Sequence, residues 1–421
     1  MGLFLWAVVI GVAINAAFAA LFLSRINAGK CKPLESDQQD SAVIILSVRG
    51  TDPRLEDSIA ALLNQNFREY SILVVVDNKK DPAWKLLQEI KTRLDFENRM
   101  KIVELEYPRE TCSLKCSSLV QAAEMLPHTT RWVAFVDADV VAHENWLADL
   151  LGPLTDAQVA VVSGNQWYEP PKLPSAGKPS TGGLLRSIWN AGALVPTILL
   201  KHPWAGTMAL RYEDLVISSL IDDWKVSAVD DGPVTKFANQ MGGKVVINPA
   251  LLMVNRDDCT SQYAMNWITR MLTWSRLYES TFGLTVLHAF FSVLLAIGVD
   301  LCLIVAILSF DFAFILASVA ALATAAALSV VGYTFVRNAV STSLQLRGEK
   351  PLEPLSMDIM GKLALLMGPV QICYFVGCVK AMSAEIVKWR GIEYRILDKR
   401  VSMVHYKPWS EQEASNHGKS I

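Results

Sequence analysis

Residues 132–139 read WVAFVDAD, five apolar residues followed by two aspartates with one residue between them. An unbroken apolar run of this length predicts a short strand that is buried on both faces. Asp137 and Asp139 would then stand at the carboxyl end of the strand, where open α/β sheets bind their ligands. Carboxylate oxygens suit Mg²⁺ or Mn²⁺, which share their coordination with substrate phosphates. The stretch predicts a site for a metal and a diphosphate, and two solvated aspartates in a loop are the alternative.

Further strands are predicted on both sides of this stretch, with helices between them. Strand-like runs rich in β-branched residues occur at 42–48, 71–76, 101–105 and 159–162. Helix-like apolar spacing occurs at 55–65, 84–94 and 114–126. Strands that alternate with helices in this way predict an α/β fold with a mostly parallel, doubly wound sheet. We place this domain at residues 41–260.

Two other acidic positions follow predicted strands. Asp77 ends one of the apolar runs, where it could accept hydrogen bonds from a uracil or a ribose, or simply form a turn. Asp230 and Asp231 follow residues 224–229, which we expect to approach them in β conformation. Because two adjacent carboxylates repel each other in a closed site, one of them could titrate near neutral pH as a general base. A helix cap before the following proline is the alternative.

The composition excludes a typical nucleic-acid binder and indicates a membrane protein. The 421 residues include 39 Lys+Arg and 41 Asp+Glu, a net charge of −2, and 52% of them are hydrophobic. The seven cysteines do not have the pattern of a secreted disulfide scaffold, so we expect a cytosolic domain. Cys112 and Cys116 lie one helical turn apart without further Cys or His at metal-site spacing. We interpret them as structural, as we do the isolated His128, His143, His202 and His288.

The N-terminus predicts a membrane anchor. Residues 1–24 carry no charge and contain enough apolar residues to span about 30 Å of hydrocarbon. A cleaved signal peptide is the alternative, but the basic leading region is missing and the apolar run is too long. Arg25, Lys30 and Lys32 are the first charges, and the positive-inside tendency places them in the cytoplasm.

The C-terminal third predicts more membrane-associated segments. Aromatic, aliphatic and basic residues alternate over 261–282 as in an amphipathic helix at a membrane surface. We expect a transmembrane hairpin at 283–336, a cytoplasmic loop at 337–360, and a transmembrane or re-entrant segment at 361–383. The basic residues of the tail, 384–421, favour the re-entrant alternative, which keeps the tail in the cytoplasm.

The motifs are more informative in their joint order than one by one. They are Val76-Asp77, Lys115, Val136-Asp137-Ala138-Asp139, Trp204-Ala205-Gly206-Thr207, Asp230-Asp231 and Arg270-Met271-Leu272-Thr273-Trp274. This series resembles the inverting family 2 glycosyltransferases with a GT-A fold, and most of all the ceramide glucosyltransferase group and its bacterial relatives. The likeness covers residues 42–278, and residues 389–394, WRGIEY, are similar to an element near the C-terminus of that group.

The resemblance implies a role for each acidic position. Asp77 would contact the uridine of a nucleotide-sugar. Asp137 and Asp139 would address the nucleotide and the metal, Mg²⁺ or Mn²⁺. Asp231, the second acid of its pair, would take the proton from the acceptor hydroxyl.

The resemblance also implies two residues around the substrates. Lys115 matches a lysine that lines the donor pocket, and a solvated lysine is the alternative. Trp204 would form part of the acceptor side, with a core tryptophan as the alternative.

One position departs from the family pattern. Relatives carry a second arginine directly before the tryptophan of the last motif, whereas this chain has Thr273 before Trp274. An arginine there would suit the diphosphate leaving group because its guanidinium is permanently charged. Arg270 or Arg276 would have to approach the same place, together with Trp274.

These observations predict a membrane-bound, cytosol-facing inverting glycosyltransferase. It would move a hexose, glucose by resemblance, from a UDP-sugar to the hydroxyl of a membrane lipid. Its partners would be the donor, the lipid acceptor and the bilayer, with no nucleic acid. A processive polysaccharide synthase and a non-catalytic membrane scaffold are the alternatives.

Overall fold

A computed structural model describes residues 2–95, 97–172, 177–398 and 400–409. The chain divides into two compact units. The sheet unit comprises residues 30–166, 200–255 and 384–409, and the helical unit comprises residues 2–29, 167–199 and 256–383. The end of the chain, 410–421, which is part of the basic tail predicted at 384–421, lies outside the described residues.

The strands and helices are numbered in chain order. The strands are β1 (Ala42–Val48), β2 (Tyr70–Val76), β3 (Met100–Glu104), β4 (Trp132–Val136), β5 (Val159–Tyr168), β6 (Thr207–Arg211), β7 (Lys244–Asn255), β8 (Ile386–Trp389), β9 (Ile392–Leu397) and β10 (Arg400–His405). The helices are α1 (Gly2–Asn27), α2 (Leu55–Leu63), α3 (Pro82–Leu94), α4 (Leu114–Glu124), α5 (Trp146–Leu151), α6 (Thr181–Leu199), α7 (Tyr212–Ile217), α8 (Leu220–Trp224), α9 (Val234–Gln240), α10 (Ser261–Tyr278), α11 (Phe282–Leu308), α12 (Phe312–Leu346) and α13 (Met357–Ser383).

The sheet unit is built on a seven-stranded sheet in the order β3-β2-β1-β4-β6-β5-β7. β1 pairs in parallel with β2 and with β4, and β2 pairs in parallel with β3. β6 runs antiparallel to β4 and to β5. The predicted α/β fold with a mostly parallel sheet is confirmed, although β6 and β7 were not among the predicted strands.

The register brings the acidic strand ends to one edge of the sheet. Val48 of β1 lies opposite Val76 of β2, and Leu46 of β1 lies opposite Val136 of β4. All five residues of β4 are buried, as the unbroken apolar run predicts for a central strand. The residues that follow β2 and β4 are aspartates, and both therefore leave the sheet at its carboxyl edge.

The predicted β approach at 224–229 is wrong. α8 ends at Trp224, and turns follow as far as the start of α9. The Trp224 side chain is fully buried, and its indole N–H donates to the backbone carbonyl of Asp230 at 2.9 Å. Trp224, the bulkiest residue of this apolar run, packs in the core against Phe135 at a ring-centroid distance of 5.5 Å. The run therefore anchors a loop and does not form a strand.

The segment that we treated as a basic tail contains a small sheet. β8, β9 and β10 form a three-stranded antiparallel sheet in the order β10-β9-β8. Val387, Ile392, Tyr394 and Val401 are buried, so one face of this sheet is packed. The backbone N–H of Met403 donates to the carbonyl of Glu110 at 2.7 Å, which ties β10 to the loop before α4. We call β8–β10 together with residues 406–409 the C-terminal sheet.

The helical unit holds the apolar helices. Four helices of the described residues are long and apolar enough to cross a membrane: α1, α11, α12 and α13. Apolar helices therefore occupy the positions predicted for the anchor and the hairpin, and which of them cross a bilayer stays a prediction. The expected loop at 337–360 is shorter than predicted, because α12 continues to Leu346 and α13 begins at Met357. Arg337 lies inside α12, where its guanidinium pairs with Glu169 at 2.7 Å.

The amphipathic segment predicted at 261–282 forms α10, which ends at Tyr278. Its buried residues include Trp267, whose ring meets that of Trp189 on α6 edge to face at 5.2 Å. At its other end Arg276 donates to the carbonyl of Met382 on α13 at 2.7 Å. α10 thus packs between α6 and α13 inside the helical unit.

Candidate active site

Lys115 joins the two acidic pairs of the sheet unit. Its ammonium nitrogen lies 2.5 Å from Oδ1 of Asp137 and 2.7 Å from Oδ2 of Asp230. Ser113 places it by capping α4, since its Oγ accepts the N–H of Cys116 at 3.1 Å. Burial lowers the pKa of Lys115, but the two carboxylates outweigh it and the net shift of the pKa is upward. The lysine is therefore a fixed cation, and the solvated alternative is excluded by its partners.

Asp139 is held by two amides. Its Oδ2 accepts from the side chain of Asn255 at 3.1 Å and from that of Gln166 at 3.4 Å. Burial raises the pKa of Asp139 to about 6, and the charges of Asp137 and Asp52 add to the shift. Among the described residues no ion pair joins Asp139 to a lysine or an arginine, which leaves its charge less compensated than that of Asp137.

The carboxylates of Asp137 and Asp139 fit a divalent metal, because hard cations prefer oxygen ligands. Asp139 is the better ligand of the two, since Asp137 already pairs with Lys115. No group of three or more His, Cys, Asp or Glu suited to a metal occurs in the described ranges. A metal here would have to complete its coordination with substrate oxygens, as the ions of phosphate-transfer sites commonly do.

Asp231 differs from its neighbour Asp230. Asp230 is only 4% exposed and pairs with Lys115, whereas Asp231 is half-buried. Burial raises the pKa of Asp231 to about 7, and the charge of Asp230 adds to the shift. The backbone carbonyl of Asp231 accepts the N–H of Val234 at 3.1 Å, so the residue sits in the turn that leads into α9. A carboxylate with this pKa can accept a proton at neutral pH and remain accessible to a second molecule.

Asp77 is surrounded by residues that the sequence analysis missed. Oδ2 of Asp77 pairs with the guanidinium of Arg49 and accepts the hydroxyl of Tyr406 at 3.0 Å. Arg49 follows β1 at the same sheet edge, a position that could have flagged it. Tyr406 belongs to the C-terminal sheet, and its hydroxyl also accepts from the side chain of Asn78 at 2.7 Å. Sequence order gave no hint of that contact, which joins residues more than 300 positions apart.

Trp204 lies beside the acidic edge and is partly buried. Its indole covers Gly206, where a Cβ atom would collide with the ring. The carbonyl of Gly206 accepts the backbone N–H of Asp137 at 3.2 Å. Trp204 thus packs on the peptide that holds Asp137, and the two sequence alternatives, acceptor side and core, are compatible.

Arg270, Thr273 and Trp274 lie on α10 in the helical unit. Thr273 is 1% exposed, and its hydroxyl donates to the carbonyl of Thr269 at 2.8 Å. Trp274 is 9% exposed. A donor-site role for Arg270 and Trp274 stays a prediction. Thr273 is a helix-packing residue whose hydroxyl is satisfied within its own helix.

The cysteines of the sheet unit have no reactive character. Cys112 and Cys116 are buried and unbonded to each other, and burial raises the pKa of both thiols. His143 is likewise structural, since its Nε2 lies 3.0 Å from Oδ2 of the buried Asp149.

Comparison with known proteins supports the same fold. Residues 42–215 match the family model "Glycosyl transferase family 2". None of the curated proteins compared with the chain matches it.

Solved structures with a similar course of the chain are distant in sequence. A mannosyltransferase from Pyrobaculum calidifontis, in complex with GDP-Man and Mn²⁺, is 16% identical, covers 90% of this chain and 99% of its own, and has a TM-score of 0.45. Glucosyl-3-phosphoglycerate synthase from Mycobacterium tuberculosis, in complex with Mn²⁺, UDP-glucose and phosphoglyceric acid, is 14% identical, covers 60% and 82%, and has a TM-score of 0.35.

A third structure, 4-diphosphocytidyl-2C-methyl-D-erythritol synthase from Anaerococcus prevotii, is 12% identical, with coverages of 54% and 94% and a TM-score of 0.35. The match at residues 42–215 coincides with the strands that carry Asp77, Asp137 and Asp139. The match covers less than half of the chain, so residues 42–215 are similar to glycosyl transferase family 2 domains, and the sheet unit has the GT-A α/β fold.

Proposed function

We propose that the chain is a membrane-bound inverting glycosyltransferase that moves a hexose from a UDP-sugar to the hydroxyl of a lipid. The observation that carries the proposal is the sorting of the two acidic pairs by Lys115. Lys115 contacts one member of each pair, and burial raises the pKa of Asp139, of Asp231 and also of Asp230. A scaffold that had lost its activity would have no need to keep two such costly carboxylates in one unit.

The donor would lie along the carboxyl edge of the sheet. Asp77, which follows β2, would accept a hydrogen bond from a nucleobase or ribose, and Asp137 and Asp139 follow the more central strand β4. Lys115 would hold Asp137 in place through their ion pair. A divalent metal bound at Asp139 would stabilise the charge that develops on the leaving diphosphate.

Asp231 would remove the proton from the acceptor hydroxyl as its oxygen attacks the anomeric carbon. The new bond to that carbon forms while the bond to the diphosphate breaks, so the configuration inverts. The charge of Asp230, when ionised, would add to the burial that raises the pKa of Asp231, and burial raises the pKa of Asp230 as well.

The four apolar helices support a lipid acceptor over a soluble one. A ceramide, a diacylglycerol and a polyprenyl alcohol all present a hydroxyl at the membrane surface. The resemblance of the motifs to ceramide glucosyltransferases favours ceramide and glucose within this class.

The proposal is tested with membranes that contain the chain. They are incubated with a panel of UDP-sugars and extracted lipids, and new glycolipids are identified by mass spectrometry. Membranes with Asp231→Asn serve as the control for background enzymes. We expect one new product that the control lacks, and the absence of any such product would overturn the proposal. A polymer in place of a glycolipid would favour the polysaccharide synthase.

A further inference from the structure

The turn between β8 and β9 has an unusual residue. Trp389 pairs with Ile392, so the hairpin loop consists of Arg390 and Gly391 alone. Both residues have positive φ angles, 47° and 73°. Two-residue loops of this kind prefer Asn-Gly or Gly-Gly, because a side chain with a Cβ atom is strained in the left-handed region. The turn would form more readily with asparagine at position 390, so the arginine needs another explanation.

The backbone of this turn is fixed beside the nucleotide residue Asp77. The Nε of Arg49 donates to the carbonyl of Arg390 at 2.9 Å, while another nitrogen of the same guanidinium pairs with Asp77. A further donor of Arg49 reaches the carbonyl of Lys407. Arg49 thus ties the C-terminal sheet at two points to the end of β2.

The side chain of Arg390 points towards the metal residues. Its Nη2 donates to Oδ2 of Asp52 at 3.4 Å. Asp52 and Arg390 both act on Asp139, since the first raises its pKa and the second lowers it. Arg390 therefore lies near Asp77, through Arg49, and near Asp139, the two residues to which the proposed function assigns the nucleobase and the metal.

The pairing with Asp52 does not account for the strain. It is a single contact at 3.4 Å between a side chain that is 30% exposed and the buried Asp52, which is too long for a strong charged hydrogen bond. It also uses only one of the five N–H donors of the guanidinium. Arg49 and Lys115, in contrast, are each engaged by carboxylates of the sheet unit.

From this geometry we infer that Arg390 binds the diphosphate of the donor, with the C-terminal sheet forming the second wall of the donor site. The inference rests on the proposed UDP-sugar donor. Arg390 would supply from the C-terminus the guanidinium that is missing at Thr273, and the strain at φ 47° would be retained for that contact.

The test compares ligands that share a base and differ in phosphate. UDP, UMP and uridine are titrated into the full chain in detergent with Mn²⁺, and binding is followed by calorimetry. Arg390→Asn should weaken UDP binding roughly 10- to 100-fold and leave uridine binding unchanged, as expected for one charge-assisted hydrogen bond or two. Because Asn-Gly suits this turn, the thermal midpoint of the variant should equal or exceed that of the parent.

Two controls make the result specific. Arg395→Ala removes an exposed arginine of β9 in the same small sheet and should leave all three affinities unchanged. Arg390→Lys keeps the charge without the planar fork and should fall between the parent and Arg390→Asn.

Parent affinity for UDP in Arg390→Asn would overturn the inference, and so would an equal loss for uridine, which indicates a structural role. A lower thermal midpoint in Arg390→Asn than in the parent would contradict the argument that Arg390 strains the turn. Failure of the parent itself to bind UDP would overturn the proposed donor and the inference together. If the parent binds UDP, the result with Arg390→Asn tests the inference about Arg390 alone.

Discussion

Asp137-Ala138-Asp139 and Asp230-Asp231 are two acidic pairs with the same composition and opposite surroundings. In each pair the first aspartate, Asp137 or Asp230, forms an ion pair with Lys115. The remaining member of the first pair, Asp139, is fixed by the amides of Asn255 and Gln166. The remaining member of the second, Asp231, sits in a turn and is half-buried. A carboxylate that is held still suits a metal, and one that is accessible with a pKa near 7 suits proton transfer, so the environment and not the motif assigns the role.

We expect the largest effect on turnover from a substitution of Asp231, the accessible aspartate of the second pair. Asp231→Asn keeps the shape of the side chain but cannot accept a proton at neutral pH, so turnover should fall roughly 10²- to 10⁴-fold. UDP affinity should be unchanged, because the nucleotide is assigned to other residues. Glycolipid formation and UDP binding are measured on the same preparation. Parent turnover in this variant would move the base to Asp230.

A substitution of Asp139, the fixed aspartate of the first pair, should lower turnover slightly less and should also change the metal requirement. Asp139→Asn removes a charged metal ligand, so turnover should fall roughly 10²- to 10³-fold, the scale for losing one electrostatic contact to the leaving group. The concentration of Mn²⁺ or Mg²⁺ that gives half-maximal activity should rise. A metal titration of parent and variant checks this, and full parent activity in excess chelator would contradict it.

The pH profile should report the second pair. Asp231 must be deprotonated to act, and its pKa is about 7, so activity should rise with pH and level off above 7. One pH unit below the midpoint, activity should be about tenfold below the plateau. The measurement is kcat/KM from pH 5 to 9 at saturating metal. A flat profile through neutrality would argue against this base.

Lys115→Met should weaken the electrostatic coupling between the two acidic pairs. Lys115 lowers the pKa of Asp231, so its removal should move the midpoint of the pH profile upward by about one unit. Lys115→Arg keeps the charge and should leave the midpoint near that of the parent. An unchanged midpoint in Lys115→Met would mean that the lysine does not couple the pairs.

The smallest effect concerns stability. The pKa of Asp231 is about 7 in the folded protein, above the ordinary 3.8. Between pH 3.8 and about 7 the folded state therefore binds more protons than the unfolded state. Stability from this residue is therefore present at acidic pH and is lost as pH rises through about 7. Asp231→Asn should raise the thermal midpoint at pH 8, and the gain should shrink towards pH 5. Thermal unfolding of the two proteins at both pH values tests the sign.

Much of the sheet unit could be predicted because its strands are local patterns. β1 and β4 have the predicted bounds, and the run before Asp137 placed the first acidic pair at the correct edge. The predicted strand before Asp230 failed because Trp224 is apolar for a different reason, as an anchor that donates to the Asp230 carbonyl. An apolar run alone does not distinguish a strand from a packed turn.

The contacts of Asp77 could not be predicted by local reasoning. Tyr406 and Arg390 lie more than 300 residues further along the chain than Asp77 and Asp52, and only the folded sheet brings them together. The motif WRGIEY was visible in the sequence, but the positive φ of its arginine was not. Strain of this kind is a property of the backbone, so sequence composition carries no record of it.

The C-terminal sheet also restricts how the chain can pass through a membrane. Residues 200–255 and 384–409 belong to one unit, so they must occupy the same side of a bilayer. The segment between them contains α11, α12 and α13, and a chain that returns to its starting side crosses an even number of times. At most two of these three helices can therefore span. α13 has the lowest mean hydropathy of the four apolar helices and contains Pro369, so we expect it to be the helix that does not span and that lies at the membrane surface.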